Sequence, residues 1–333
     1  MAWEIREGDV LDRLREMPGG CVHTCITSPP YWNLRDYGTA SWVGGDVECD
    51  HRHQHGGEGV ASVKQNSSVG TQTLQYREDC PLCGAKRTDK QLGLEPTPEK
   101  FISNMVKLFQ EVKRVLRDDA TCWINMGDSY LSQQGKGFNG QKRLDDESRN
   151  NPVARPSHIK PKDLAGVPWT LALALRDDGW FLRSDIIWHK PNPMPESVTD
   201  RPTKAHEYIF LLSKRGKYYY DADAIREGSI AAGETRGARN KRDVWTVATF
   251  AYPEAHFATF PPKLIEPCIL AGCPEGGTVL DPFSGSGTTG VVALRHNRNY
   301  IGIELNPEYA AMSRRRIEDD APLLNTGTQN ATD

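Results

Sequence analysis

The 333-residue chain lacks a basic excess: 41 Lys and Arg face 44 Asp and Glu, a formal net charge of −3. That balance gives no global attraction to nucleic acid, so such a partner would have to be met by a local basic face. Long apolar runs are missing too. None approaches the roughly 18 residues of a membrane span, and the opening Met-Ala-Trp-Glu-Ile-Arg has no apolar leader stretch, so a cytoplasmic protein with no membrane partner is expected. No internal repeat is visible. Cysteines number only eight and are scattered; in a reducing compartment they favour thiols or a metal site over disulfides. What is present, 38% hydrophobic and 26% charged residues, is an ordinary globular composition, long enough to bury one large α/β core or two modest ones.

Apolar segments alternate between two periods, the pattern of a mostly parallel sheet covered on both faces. Residues 22–26, 121–126, 182–188, 206–213, 278–280 and 300–304 read as strands. Phe101, Met105, Leu108, Val112 and Val115 recur at helical spacing, as do Leu164, Val167, Leu171 and Leu175. Three segments break the rhythm: a Gly/His/Cys-rich insertion over 44–95, an almost wholly polar loop over 131–162, and a link over 221–245 that carries a basic cluster. The tail after Ala321 is expected to be disordered.

Two short motifs at opposite ends carry chemistry. Near the C-terminal end, Val279-Leu280-Asp281 reads as a strand, running through Pro282-Phe283 into Ser284-Gly285-Ser286-Gly287-Thr288-Thr289-Gly290, a glycine-rich turn that opens a helix. Glycines let the backbone approach a ligand, and the N–H groups at Thr288 and Thr289 are offered to an anion. Gly285-x-Gly287-x-x-Gly290 also matches a dinucleotide fingerprint, which makes a nicotinamide dehydrogenase the first rival. Only 29 residues follow Glu304, too few for the rest of such a domain. Asp281 lies at the carboxyl edge of its strand, where open α/β sheets bind ligands, and Glu304 ends the next strand about 20 residues on, where a carboxylate can accept ribose hydroxyls. At the other end, 22–26 runs into Thr27-Ser28-Pro29-Pro30-Tyr31-Trp32. Consecutive prolines stiffen this tip and fix the Ser28 hydroxyl and the Pro29 carbonyl as acceptors.

Together the motifs resemble the DNA amino-methyltransferases that use S-adenosylmethionine. Their order, catalytic motif first and cofactor motif last, resembles the circularly permuted (beta) group, and the resemblance covers nearly the whole chain apart from a polar loop and the tail. It implies one catalytic domain over 1–333: an α/β, Rossmann-like S-adenosylmethionine-dependent methyltransferase sheet with permuted motif order and a small Cys/His insertion. It places the cofactor against Asp281, Phe283, Ser284, Gly285, Ser286, Gly287, Thr288 and Thr289, with Glu304 on the ribose, Asp9 beside the adenine and Phe257 closing over it. Catalysis falls to Ser28, Pro29, Pro30 and Tyr31. An exocyclic amine is a poor nucleophile because its lone pair is delocalised into the ring. Acceptors at Ser28 and Pro29 would bend it toward tetrahedral, while Tyr31 stacks on the flipped base.

The resemblance adds Asn33 to Gly38 as a loop over the site. It makes Trp188 to Pro193, Arg201-Pro202, His206-Glu207-Tyr208 and Asp243-Val244-Trp245 walls of the base pocket. A strand histidine bonded to a neighbour is the expected reading of His206, with an acid/base pair of His206 and Glu207 the alternative. Double-stranded DNA is the implied partner, with a cognate restriction endonuclease in a restriction-modification setting, and the protein itself a monomer or homodimer. A Ser-Pro-Pro-Tyr tip is more usual for cytosine N4, Asp-Pro-Pro-Tyr for adenine N6, so N4 of cytosine is the expected target and N6 of adenine the alternative. RNA or protein-glutamine methylation is more distant, because that tip often begins with Asn. C5 methylation of cytosine needs a Pro-Cys nucleophile. The one Pro-Cys step, Pro267-Cys268, precedes Ile269 in a helix-like run and is set aside.

Two further clusters stand apart. Cys49-Asp50-His51 and Cys80-Pro81-Leu82-Cys83-Gly84 have the spacing of a zinc knuckle. Cys49, His51, Cys80 and Cys83 are the expected ligands, with His53 and His55 in reserve, and a similar insertion occurs in phage and prophage members of the family. Arg236, Arg239, Lys241 and Arg242 are the expected phosphate contacts, in a 221–245 segment expected to contact DNA and recognise the target, while Lys142, Arg143, Arg149, Arg155 and Lys160 decorate the polar loop.

Overall fold

A computed structural model describes residues 1–32, 39–51, 79–131, 159–231, 234–249 and 259–320, with backbone alone at 229–231 and 234–237. Asn33 to Gly38, His53, His55, Phe257, nearly all of the polar loop and the tail lie outside the described residues. In chain order the elements are β1 (Trp3–Glu7), α1 (Val10–Arg15), β2 (Val22–Thr27), β3 (Ser41–Val43), β4 (Lys86–Thr88), α2 (Pro98–Val115), β5 (Leu116–Met126), α3 (Val167–Asp177), β6 (Phe181–His189) and β7 (His206–Ser213). There follow β8 (Glu227–Ala231), β9 (Glu234–Arg239), β10 (Val244–Thr246), α4 (Pro262–Gly272), β11 (Thr278–Asp281), α5 (Thr288–Arg295), β12 (Asn299–Glu304) and α6 (Pro307–Asp320).

Eight strands form one sheet in the order β1-β12-β11-β2-β5-β7-β6-β10. All neighbours pair in parallel except at β7, which is antiparallel to both β5 and β6. Its two sides are covered by different helices. One core joins Leu14 of α1, Phe101, Met105, Leu108 and Val112 of α2, and Leu171 and Leu175 of α3; the other joins Leu264 and Ile269 of α4, Val291 and Leu294 of α5, and Ile317 of α6. The helix α2 shows how the sequence writes such an element. Thr97 caps it by accepting from Lys100 N (3.2 Å), Pro98 occupies the first turn, and the predicted apolar stripe from Phe101 to Val115 is fully buried. Truncating Phe101 to Ala would cost about 3–5 kcal/mol.

Three elements depart from the sequence reading. The helix expected from Leu164 begins at Val167, because Gly166 sits in the left-handed region at φ 72°; Leu164 instead bridges Tyr130. The strand expected from 121 starts at Leu116, directly after α2, with a register irregularity against β2. The link over 221–245, for which no strand was expected, holds the antiparallel pair β8–β9 and then β10, which adds to the sheet edge beside β6. Pro267-Cys268 lies inside α4, as expected.

The strand order reverses between β11 and β2. From β11 the chain passes over α5 to β12 on one side, whereas β2 is followed in the sheet by β5 on the other. At such a switch point the carboxyl ends of the two strands leave a crevice between their departing loops. Asp281 ends β11 and Thr27 ends β2, so motifs 254 residues apart open into the same crevice.

Candidate active site

The crevice is a cavity of about 1310 Å³ lined from both motifs. Ser28, Pro29, Pro30 and Tyr31 line it on one side, and Phe283, Ser284, Gly285, Ser286, Thr288 and Glu304 on the other, with Asp9 beside them. Asp281, Gly287 and Thr289 lie behind this wall rather than on it. Asp281 is almost wholly buried and its oxygens are occupied: Thr27 Oγ1 (2.7 Å) and the Phe283 N–H (3.1 Å) donate to Oδ1, and Thr289 Oγ1 (2.6 Å) to Oδ2. Burial pushes its pKa up to about 6, against the pull of those three donors. Asp281 thus ties the catalytic strand to the glycine turn.

Gly287 caps α5 in the left-handed region (φ 75°), and a Cβ there would run into Ser313 Oγ on α6. The turn is thereby pressed against α6, which delivers Arg316: its Nη1 donates to Ser286 O (3.1 Å), Ser286 Oγ (2.9 Å) and Thr288 Oγ1 (2.9 Å). Sequence inspection had no way to find Arg316, which lies 30 positions from Ser286. Glu304 accepts from Gly285 N (2.8 Å) with one oxygen and Asn306 N (2.9 Å) with the other, so the carboxylate is aimed from both ends while partly open to the cavity. Burial raises its pKa, and those N–H donors oppose the rise. Asp9 faces the cavity and caps α1 by accepting from Asp12 N (3.1 Å).

On the catalytic side the tip is braced from below. Trp32 Nε1 donates to Glu95 O (2.8 Å). The Tyr31 hydroxyl donates to Glu207 Oε2 at 2.7 Å, and burial, then the Glu207 charge, drive its pKa well up. Asn125 Nδ2 donates to the same oxygen (3.2 Å) and to Tyr208 O (3.1 Å), and Lys190 Nζ forms an ion pair with Oε1 while lying 4.2 Å from the Trp188 ring centroid. The β5–β7–β6 register makes this meeting unavoidable, setting Met126 against Tyr208 and Trp188 against Glu207. Asn125 is the one amide side chain in β5, set in the buried run from Ala120 to Met126, but nothing in the sequence joins it to Tyr31. His206 Nε2 contacts the Tyr208 hydroxyl (3.4 Å), the neighbour-bonded histidine expected.

A profile of the N6/N4-type DNA methylases, described as "DNA methylase", matches residues 22–315. The chain belongs to this DNA methylase family. It is 44% identical over 318 residues to the type II methyltransferase M.Cfr9I of Citrobacter freundii, covering 94% of this methylase and 87% of that protein. To the type II methyltransferase M.SmaI of Serratia marcescens it is 42% identical, covering 94% and 90% respectively. Its fold matches that of the PvuII DNA methyltransferase (cytosine-N4-specific) with a TM-score of 0.60 at 17% identity, over 100% of this methylase and 89% of that chain. Family membership brings S-adenosylmethionine-dependent methyl transfer to DNA, and the described helices of the methylase include none long and apolar enough to cross a membrane.

Away from the crevice, the antiparallel β3–β4 hairpin of the methylase brings Cys49, His51, Cys80 and Cys83 together, their ligand atoms all within 4.8 Å of one another. Cys80 N donates to Ala85 O and Gly84 N to Cys80 O, each at 2.7 Å, a closed knuckle with Gly84 at φ 71°. His51 stacks on Trp42 with ring centroids 4.5 Å apart. Of the basic cluster, Arg239 and Arg242 both pair with Glu227 Oε1 (3.0 and 2.6 Å), and Lys241 lies over the Trp245 ring; the Arg236 side chain is outside the described atoms. Glu227 thus ties two of these cations together, and Asp243 follows Arg242 directly in the chain.

Proposed function

We propose that this methylase transfers a methyl group from S-adenosylmethionine to the exocyclic N4 of a cytosine flipped out of double-stranded DNA, as the modification partner of a type II restriction endonuclease. The observation that carries the reading is the Ser28-Pro29-Pro30-Tyr31 tip and the glycine turn facing one another across a single cavity, pinned by Asp281. The cavity suits that cofactor: the first-turn N–H groups of α5 beyond Gly287 can receive a carboxylate, and Glu304, fixed by two backbone donors, can receive a diol. When bound, S-adenosylmethionine supplies an electrophilic methyl carried on a positively charged sulfur. Ser28 and the Pro29 carbonyl accept the amine hydrogens and turn the nitrogen lone pair toward it. Tyr31 offers its ring to the base, held from behind by Glu207.

Cytosine is favoured over adenine because the tip begins with Ser, a neutral and short acceptor, where adenine enzymes usually place a charged Asp. Nucleoside mass spectrometry of DNA treated with the enzyme and cofactor should show N4-methylcytosine; N6-methyladenine alone would overturn the base assignment. Arg239, Lys241 and Arg242, with Arg236 on the same strand pair, supply the local basic face that a chain of negative net charge needs to hold duplex DNA.

The Cys/His hairpin holds one structural zinc ion in this reading. Zinc bonds of about 2.3 Å to sulfur and about 2.0–2.1 Å to nitrogen put tetrahedral ligand atoms about 3.7 Å (S to S) and about 3.5 Å (S to N) apart. Cys49 Sγ is 3.7 Å from Cys80 Sγ, and Cys83 Sγ is 3.5 Å from His51 Nδ1.

A further inference from the structure

The turn from Ser284 to Thr289 carries four hydroxyls, and they are used in two ways. Two are engaged inside the protein: Ser284 Oγ with the Tyr300 hydroxyl (2.9 Å) and Ser313 Oγ (3.1 Å), and Thr289 Oγ1 with Asp281 Oδ2 (2.6 Å). Ser286 Oγ and Thr288 Oγ1 instead share one partner, Arg316 Nη1, at 2.9 Å each. A guanidinium only donates, so both oxygens receive a hydrogen from Arg316 and keep their own to give away. They lie 3.3 Å apart, and one hydrogen closes that gap. The other has no acceptor among the described residues. Both side chains are almost wholly buried, yet both residues line the cavity on the wall of the glycine turn. A buried donor left without an acceptor is costly, and this one stands before a positive charge. The charge comes from α6, where Arg316 lies one turn beyond Ser313, the residue that seats this helix against Gly287.

We propose that Arg316 is a positioning residue for the cofactor's carboxylate: it holds Ser286 and Thr288 as acceptors, so that the hydrogen they have left is donated to that carboxylate with the guanidinium charge behind it. Arg316 is not itself on the cavity wall, so it acts through the two hydroxyls and through its charge. Hydroxyls alone would serve a neutral acceptor as well as an anion. A cation fixed behind them makes the site select the anion. The inference rests on the placement of S-adenosylmethionine against this turn.

Decarboxylated S-adenosylmethionine tests this directly, because it keeps the adenosine, the sulfonium and the amine and lacks only the carboxylate. In calorimetry the wild-type protein should bind S-adenosylmethionine roughly a hundredfold more tightly than this analogue. Arg316→Met keeps an apolar stem and removes the charge. It should cut S-adenosylmethionine affinity by about thirtyfold and leave the analogue, a cation, bound no more weakly, so that most of the preference disappears. Arg316→Lys, which restores the charge, should recover part of that preference. Thr288→Val removes one hydroxyl with Arg316 in place and should show the same selective loss on a smaller scale, about fivefold. Should Arg316→Met not fold, Thr288→Val decides by the same criterion. Equal losses for the two ligands would mean that these residues only brace the turn, and an undiminished preference would mean that they do not serve the carboxylate; either overturns the inference and leaves the cofactor where it was placed. A wild-type protein that binds both ligands equally has no carboxylate site at the turn, which overturns that placement as well.

Discussion

Behind the crevice, Asp281 is shut away from water and gripped by three donors from two motifs, and the surrounding strands bury Leu280, Val279 and Tyr300 almost completely. In the β3–β4 hairpin the described residues bury little beyond Cys80 and Ala85, while Val43, Val47 and Leu82 stand exposed. A close approach marks each place: a Cβ on Gly287 would strike Ser313 Oγ, and one on Gly45 would lie 2.7 Å from Cys83 Sγ. In the first case the crowding is between two packed helices, in the second against a cysteine of the Cys/His cluster. The crevice is thus built by a hydrophobic core that tolerates a costly buried carboxylate, whereas the described residues of the hairpin bury little, and the zinc proposed above would take the place of a core there.

The largest expected effect comes from breaking the hairpin. Protein purified without chelator should carry one equivalent of zinc, and Cys80→Ser should abolish it and open the hairpin to proteolysis and hydrogen exchange while S-adenosylmethionine affinity persists. A metal-free hairpin that stays protected would end the comparison as drawn. Next is Ser28→Ala, which should lower turnover by about a hundredfold, roughly 3 kcal/mol, with cofactor affinity unchanged, since the lost hydrogen bond matters most in the transition state. Equal losses in kcat and cofactor binding would move Ser28 out of the chemistry.

A comparable change is hidden in the pH dependence of stability. The Asp281 carboxyl has a folded pKa of about 6 against an ordinary 3.8, so the folded state holds the proton more tightly. Its contribution is complete below pH 3.8 and is lost as pH rises through about 6, at a cost of about 3 kcal/mol. Asp281→Asn cannot ionise, so the melting temperature of the variant relative to wild type should climb between pH 4 and pH 6 and level off above. A difference flat in pH would show that Asp281 is better solvated than its burial implies. The smallest effect belongs to the cofactor wall: Glu304→Ala should weaken S-adenosylmethionine binding by about 1–3 kcal/mol in calorimetry, and an unchanged affinity would remove the diol contact.

Much of this was readable in advance, for reasons that differ by residue. The strand–glycine–helix turn at Asp281 to Gly290 announces itself because steric needs are local: only glycine suits a left-handed cap pressed on a neighbouring helix. The turn at Cys80 to Gly84 was equally plain, because Cys-x-x-Cys-Gly encodes a closed turn within five residues. The strand β10 within the 221–245 link was not foreseen, because it is three residues long and is a strand only by virtue of the β6 edge it joins. Leu164 was misread because a helical spacing extends past a glycine that stops the helix.

The sequence by itself determined the two motifs, their permuted order, the buried faces of the long helices and the Cys/His pairs that cluster in the hairpin, since each depends on spacing within a few turns of chain. Tertiary structure decided what the motifs do to one another. It assigned Asp281 to the joint between the two loops, brought Arg316 to the glycine turn from a helix further along the chain, and set Glu207, Lys190 and Asn125 behind Tyr31. These partners lie between 17 and 254 residues apart, and no local period relates them. They meet because a sheet whose strand order reverses at one point brings the ends of distant strands to one edge, and pairing register then fixes which side chains share it.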